Sequence, residues 1–216
     1  MSADIRSQIE AVRTEFASRP AGLTQHVRRV LVEALDLAGR YDVDPERTEL
    51  AVWGHDLFRA HKPQELLTLA RECGIPIQPP DAAEPVLLHG PIAAVVLRER
   101  FMVDDEDALA AIRDHTLGLG EMPLIAKILL IADKVERNKR NRRPLMKLIR
   151  RAARRDLDLA LLCWADWKWV EEREHGWNSH PQHWGARVQW VREHHADART
   201  PARVAPGAFE PLPEPA

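Results

Sequence analysis

Cysteine is scarce in this chain. Its 216 residues include two, Cys73 and Cys163, and no CxxC pair. That excludes a disulfide framework and a zinc ribbon. No run of about 18 apolar residues occurs, so no membrane-crossing helix is expected. The first residues, Met1–Arg6, lack the apolar core of a secretory signal, and a cytoplasmic location is the resulting expectation. Neither sign of charge dominates. The formal net charge is −2, which argues against a surface given over wholly to nucleic acid. Alternation of period two is missing, so few strands are expected. There is no internal repeat.

What is present points to a helical globular protein. Hydrophobic residues make up 45% and charged residues 30%, and the length suffices for one domain with a sizeable core. Ile5, Ile9, Val12 and Phe16 recur at helical spacing within residues 1–19. A second helix is expected from about Thr24 to Tyr41. Asp44-Pro45 opens a third, with Asp44 as N-cap and Pro45 in the first turn. Lys62-Pro63 ends it and starts a fourth, stopped by Gly74-Ile75-Pro76. Residues 74–85 hold four prolines and read as a loop. Helices follow from about Glu84 to Phe101, from Asp104 or Asp105 to His115-Thr116, and over Leu124–Asp133. Another starts at Pro144, with Leu145, Leu148, Ile149 and Ala152 as its stripe, and continues or restarts at Asp156. The fold class expected is all-α: a single helical-bundle domain over residues 1–200, its metal-site core at 20–163. A tryptophan-rich helical extension belongs to that domain. A proline-rich tail, 201–216, is expected to be disordered.

Inside these apolar helices stand residues that a core does not normally tolerate. His55-Asp56 follows Ala51-Val52-Trp53-Gly54, and Asp133 follows Leu129-Leu130-Ile131-Ala132. A buried carboxylate is costly unless it is paired or bound to metal. His26, His89 and His115 lie near helix ends. Each has a bland explanation when taken alone: a cap, a satisfied core histidine, or an imidazolium at a helix C-terminus. Imidazole and carboxylate donors that converge would suit a divalent metal.

Taken in order, His26, His55-Asp56, His89, His115 and Asp133 resemble the HD-domain metal-dependent phosphohydrolases, in the version with two extra histidines between the pair and the last Asp. The flanking segments go further. Val86-Leu87-Leu88-His89-Gly90-Pro91, Ala111-Ile112-Arg113-Asp114-His115-Thr116 and Ile131-Ala132-Asp133-Lys134-Val135-Glu136 closely resemble the YqeK family of symmetrical diadenosine tetraphosphate hydrolases. The similarity spans roughly residues 20–163. It implies that His26, His55, Asp56 and Asp133 hold one metal, and that Asp56 bridges to a second held by His89 and His115. Both metals are expected to be iron, with manganese or cobalt acceptable. The implied reaction is hydrolysis of diadenosine tetraphosphate to two ADP by a hydroxide shared between the metals.

The resemblance is imperfect at the basic residues. Arg59 or Lys62 would take the place of a family lysine near the phosphates, and Arg140 is the candidate for a phosphate-facing arginine. With Asp56 these make up the expected catalytic set. The departures keep open a different phosphohydrolase of the superfamily, such as a nucleotidase or cyclic-dinucleotide phosphodiesterase. A non-catalytic nucleotide sensor is the reading from another class. The partner expected is a small nucleotide rather than a membrane or nucleic acid. The run Arg137–Arg155 holds ten basic and no acidic residues. It reads as a solvated helix face, whose first part could bring one or two arginines to the site. Trp164, Trp167, Trp169, Trp177, Trp184 and Trp190 leave three roles open: an adenine-stacking wall, a homodimer interface, or added core, with added core expected. His175, His180, His183, His194 and His195 read as surface residues.

Overall fold

A computed structural model describes residues 4–197, and the tail 201–216 falls outside them. The described residues form twelve α-helices, one 3-10 turn and no strand. The all-α expectation holds. The order is α1 (Ile5–Phe16), α2 (Ala21–Arg40), α3 (Pro45–His55), α4 (Pro63–Glu72), α5 (Pro79–Ala83) and a 3-10 turn (Pro85–Leu88). Then come α6 (His89–Arg100), α7 (Glu106–Asp114), α8 (Leu124–Val135), α9 (Arg137–Arg142), α10 (Leu145–Ala153), α11 (Leu157–His175) and α12 (Pro181–Asp197).

The helix signals in the sequence act as expected at several ends. Asp44 accepts hydrogen bonds from the backbone N–H groups of Glu46 and Arg47, and Pro45 follows at the first helical position. Asp105, rather than Asp104, caps α7 by accepting from Ala108 N–H. The helix in question restarts at Asp156, which caps α11 by accepting from Leu159 N–H.

The structure differs from these expectations in places. The third helix ends at His55, before Lys62, and Asp56 opens a run of turns. The proline-rich stretch 74–85 is not all loop. Pro79-Pro80 sits in the first turn of α5, where a missing N–H does no harm, and Asp81 accepts from Gln78 N–H. On α10, Leu145 and Leu148 face outward, and the buried residues are Met146, Ile149 and Ala153.

The core is organised on α8. Ile125, Ala126, Ile128, Leu129, Leu130, Ile131, Ala132, Asp133 and Val135 are all buried, so this helix is covered on nearly every side. It packs against α2, α3, α7, α10 and α11. Each large aliphatic side chain buried there contributes about 1.5–3 kcal/mol.

Close approach is arranged by a small residue. A Cβ on Gly90 would lie 2.8 Å from the Ile112 carbonyl oxygen and 3.1 Å from Cε1 of His115. The absent side chain thus lets the start of α6 dock on the end of α7.

The basic run is divided among neighbours. Arg140 pairs with Glu33 of α2, and Arg150 binds the same carboxylate at 2.6 Å. Arg154 reaches Asp36 at 3.2 Å. These pairs seat α9 and α10 on α2.

Candidate metal centre

His26 comes from α2, His55 from the last turn of α3, and Asp56 from the turn after it. His89 is the first residue of α6, His115 follows α7, and Asp133 lies in the last turn of α8. The sequence separates these six by more than a hundred positions. The fold brings them to one floor. His26 Nε2 lies 3.5 Å from Asp56 Oδ2 and 3.0 Å from Asp133 Oδ1. His55 Nε2 is 3.5 Å from Asp56 Oδ2. On the other side of the carboxylate, His89 Nε2 is 3.1 Å and His115 Nε2 is 3.8 Å from Asp56 Oδ1. Two triads with ligand spacing result, His26–His55–Asp56 and Asp56–His89–His115, and they share Asp56. Asp133 stands at the edge, beside His26.

The histidines are aimed by their own backbones. Nδ1 of His55 meets the Val52 carbonyl at 2.7 Å, and Nδ1 of His115 meets the Ile112 carbonyl at 2.8 Å. Nδ1 of His89 bonds the Val86 carbonyl in the same way. In each case the partner lies three residues back. A carbonyl only accepts, so Nδ1 carries the proton and Nε2 presents a lone pair.

The result is a cluster of acceptors. His89 Nε2 and His115 Nε2 face each other at 3.0 Å, with a carboxylate oxygen beside them. His55 Nε2 is fully buried with no hydrogen-bond partner. Thr116 Oγ1, 3.1 Å from His115 Nε2, is a donor for that nitrogen alone. Lone pairs gathered in this way repel one another unless cations lie among them. The donor set therefore fits divalent metal.

Similarity to known proteins agrees with this geometry. No family model matches the chain. Over 138 residues it is 37% identical to the symmetrical bis(5'-nucleosyl)-tetraphosphatase of Halalkalibacterium halodurans, covering 64% of this chain and 72% of that protein. The chain belongs to that family of hydrolases. A second member, from Bacillus subtilis, is 32% identical over 137 residues, covering 63% of this chain and 72% of its own length. Among solved structures, an HD superfamily hydrolase described as involved in NAD metabolism, from Clostridium acetobutylicum, superimposes with a TM-score of 0.79 at 25% identity. That match covers 89% of this chain and all of the other. The fold is the HD-superfamily helical bundle.

Protonation in this family member favours ligation. Burial pushes the imidazoles of His55 and His115 below their ordinary value. Burial alone would raise Asp56, but His55, His89 and His115 outweigh it and hold the carboxyl well below the usual carboxylate range. Asp133 is likewise raised by burial and lowered further by Lys134 and Lys139, at 2.8 and 2.5 Å. Near pH 7 His55 and His115 are thus neutral imidazoles and Asp56 and Asp133 ionised carboxylates, the forms that bind metal.

The cluster lies on the wall of a cavity of about 1370 Å³. That exceeds the roughly 300–1,000 Å³ of common small-molecule sites and suits an elongated ligand. The basic residues sort unevenly. Arg59 lines the cavity, whereas Lys62 and Arg140 do not. Lys62 is exposed at the start of α4, and Arg140 is committed to Glu33. The cations that reach the cavity from 134 onward are Lys134, Lys139, Arg143 and Lys168. Lys134 was legible as the neighbour of Asp133. Lys139 and Arg143 are the part of the basic run that turns inward, and the rest is paired or solvated.

Two histidines read as surface are not. His180 is 7% and His183 is 3% exposed, and both line the cavity. They are covered by other elements: His180 Nε2 lies 3.3 Å from Asp81 of α5, and His183 Nδ1 lies 3.0 Å from the Leu117 carbonyl. His175 and His194 are exposed as expected, and the side chain of His195 lies outside the described residues. The tryptophans also divide. Trp164 and Trp190 are core, while Trp177 and Trp184 are half exposed. Among the described residues no helix is long and apolar enough to cross a membrane.

Proposed function

We propose that this protein hydrolyses diadenosine tetraphosphate to two ADP. One observation carries the reading: Asp56 is shared by two ligand triads, buried except for the partly exposed His26, on the wall of a large cavity. His26, His55, Asp56 and Asp133 would hold one divalent metal, and Asp56, His89 and His115 a second. Iron is the proposed metal, with manganese or cobalt as substitutes. When bound, such a pair acidifies water and neutralises phosphate charge. The names of the curated relatives support the substrate, and the cavity size supports a long one. Residues 1–200 are proposed as one domain, acting in the cytoplasm.

The chain's own residues supply position. The carbonyls of Val52, Val86 and Ile112 fix three imidazole rings, so the cluster needs little reorganisation. Arg59, Lys134 and Lys139 line the cavity on the side of the cluster and would hold the phosphate chain against it. Water attacks an inner phosphorus, and the central P–O–P bond breaks. The bridging oxygen leaves with one ADP, the water oxygen stays on the other, and the two protons of the water are released as both new terminal phosphates ionise.

Anion-exchange analysis of the products, on protein of measured metal content, tests this. ADP as the sole product, lost in Asp56→Ala, is expected. ATP plus AMP would reject the symmetrical cut. Turnover of other nucleotides only, with inorganic phosphate or a linear dinucleotide as product, would move the protein to another branch of the HD phosphohydrolases.

A further inference from the structure

The cavity has a second pole, built by α11 and the start of α12, whose groups play no part in the chemistry above. His183 is the most informative of them. Its Nδ1 donates to the Leu117 carbonyl, so its Nε2 bears a lone pair in the neutral ring. That nitrogen is buried and has no partner, on a residue that lines the cavity. Burial lowers the affinity of the ring for a second proton, so the neutral form prevails near pH 7. A buried acceptor left unpaired is unfavourable. The group that satisfies it must bring an N–H or an O–H. A fully ionised phosphate oxygen has neither. A nucleobase or a ribose has one or both.

The surroundings suit the same chemistry. The ring of Trp164 meets His183 edge-on, with centroids 5.0 Å apart, and Trp167 and Trp177 continue the wall. Trp164 is itself core, so stacking of a base falls to the less buried rings of Trp167 and Trp177. Glu172, 6% exposed, lines this pole too. A buried carboxylate repels phosphate and can accept from a hydroxyl. The local cations are already engaged: Arg143 with Glu171 at 2.9 Å, and Lys168 with Glu171 at 3.3 Å. The two poles are continuous, because Lys134 Nζ, which binds Asp133, also stands 5.5 Å from the ring of Trp164.

We propose that this wall is a nucleoside subsite, in which a base lies along Trp167 and the nucleoside donates a hydrogen bond to Nε2 of His183. The inference rests on the nucleotide reading above, and it adds which residues recognise the part of the ligand that is not phosphate.

Calorimetric titration with ADP and with methyl diphosphate, which keeps the two phosphates and lacks the nucleoside, tests it on the full chain. The wild-type protein is expected to bind ADP at least about tenfold more tightly than methyl diphosphate. His183→Leu is expected to weaken ADP by up to about tenfold and leave methyl diphosphate unchanged. His183→Gln, whose amide oxygen can accept, is expected to recover most of the loss. Trp167→Leu is expected to act on ADP alone in the same direction, and it decides the matter if circular dichroism shows that His183→Leu does not fold. Equal binding of the two ligands by the wild type overturns the subsite. So does equal weakening of both ligands, or of neither, in the variants. Because binding is read without turnover, failure to hydrolyse diadenosine tetraphosphate would remove the substrate assignment and leave this result standing.

Discussion

The ligand-bearing helices α2, α3, α6, α7 and α8 and the pair α11–α12 both bury histidines and carboxylates, by different means. In the first group the polar residue sits among apolar neighbours in sequence that are buried with it. Asp133 sits on the α8 stretch that is buried almost without a gap, and His55 ends a stretch in which Thr48 and every residue from Leu50 to Gly54 are buried. In the second group the covering comes from elsewhere. His180 is covered by α5, and His183 by the loop after α7. The first kind of burial is written locally in the sequence. The second kind is a property of how distant elements dock.

Asp56→Ala removes the carboxylate common to both triads. Loss of metal charge stabilisation is worth several kcal/mol, so turnover is expected to fall on the order of 10³-fold. Metal content measured by inductively coupled plasma spectrometry should fall with it. Unchanged metal and activity would mean that the shared carboxylate is not what joins the two triads.

A smaller effect is expected at Gly90. Gly90→Ala places a methyl group against the backbone at the α6–α7 junction, at a cost of about 1–3 kcal/mol. Denaturant unfolding gives that cost, and metal titration should show weaker binding because His89 and His115 are held across this junction. A stable variant with unaltered metal binding would show that the junction tolerates movement.

On the α12 side, Trp190 Nε1 donates to the Gly120 carbonyl at 3.0 Å. Trp190→Phe leaves that carbonyl unpaired and is expected to cost about 1 kcal/mol in the same assay, with metal content intact. If metal were lost as well, the second region would be shown to position the first.

A pH series sharpens the contrast in the metal-free protein. His55, His115 and His183 all bind protons less readily when folded than when unfolded, because of burial. Below the unfolded value near 6.5 the unfolded chain takes up protons that the folded chain does not. Stability is therefore full above that value and declines as the pH falls. The melting temperature should drop from pH 7.5 to 5.5. His183→Leu should remove part of the slope. The least effect is expected from Trp177→Ala. Its ring is half exposed, and the stability change should lie within about 0.5 kcal/mol.

Legibility followed the same division. Asp44, Asp105 and Asp156 announce helix starts because a cap acts on its own next turn. His55, Asp56 and Asp133 stand out because an imidazole or carboxylate contradicts the apolar pattern around it, whereas His26, His89 and His115 become legible only through the order of all six, which resembles the HD-domain phosphohydrolases. Arg140 shows where such reasoning stops. Its neighbour in sequence is the site, but its partner is Glu33, more than a hundred residues away, and no local pattern names that partner. The outward turn of Leu148 has the same origin, since the face α10 buries is chosen by the elements it packs on, α8, α9 and α11. His180 and His183 were read as surface because the residues that cover them belong to α5 and to the loop at Leu117.

The carbonyl tethers on His55, His89 and His115 have a consequence for how the protein is made. Each ring is aimed by its own turn of backbone, before any metal arrives. The extensive apolar core requires no ion to collapse. A metal bound at the proposed site is thus expected to enter a chain already folded, unlike small zinc modules that stay unfolded until loaded. A chelator should silence such an enzyme without melting it, and the same folded chain can be emptied and reloaded with a different ion.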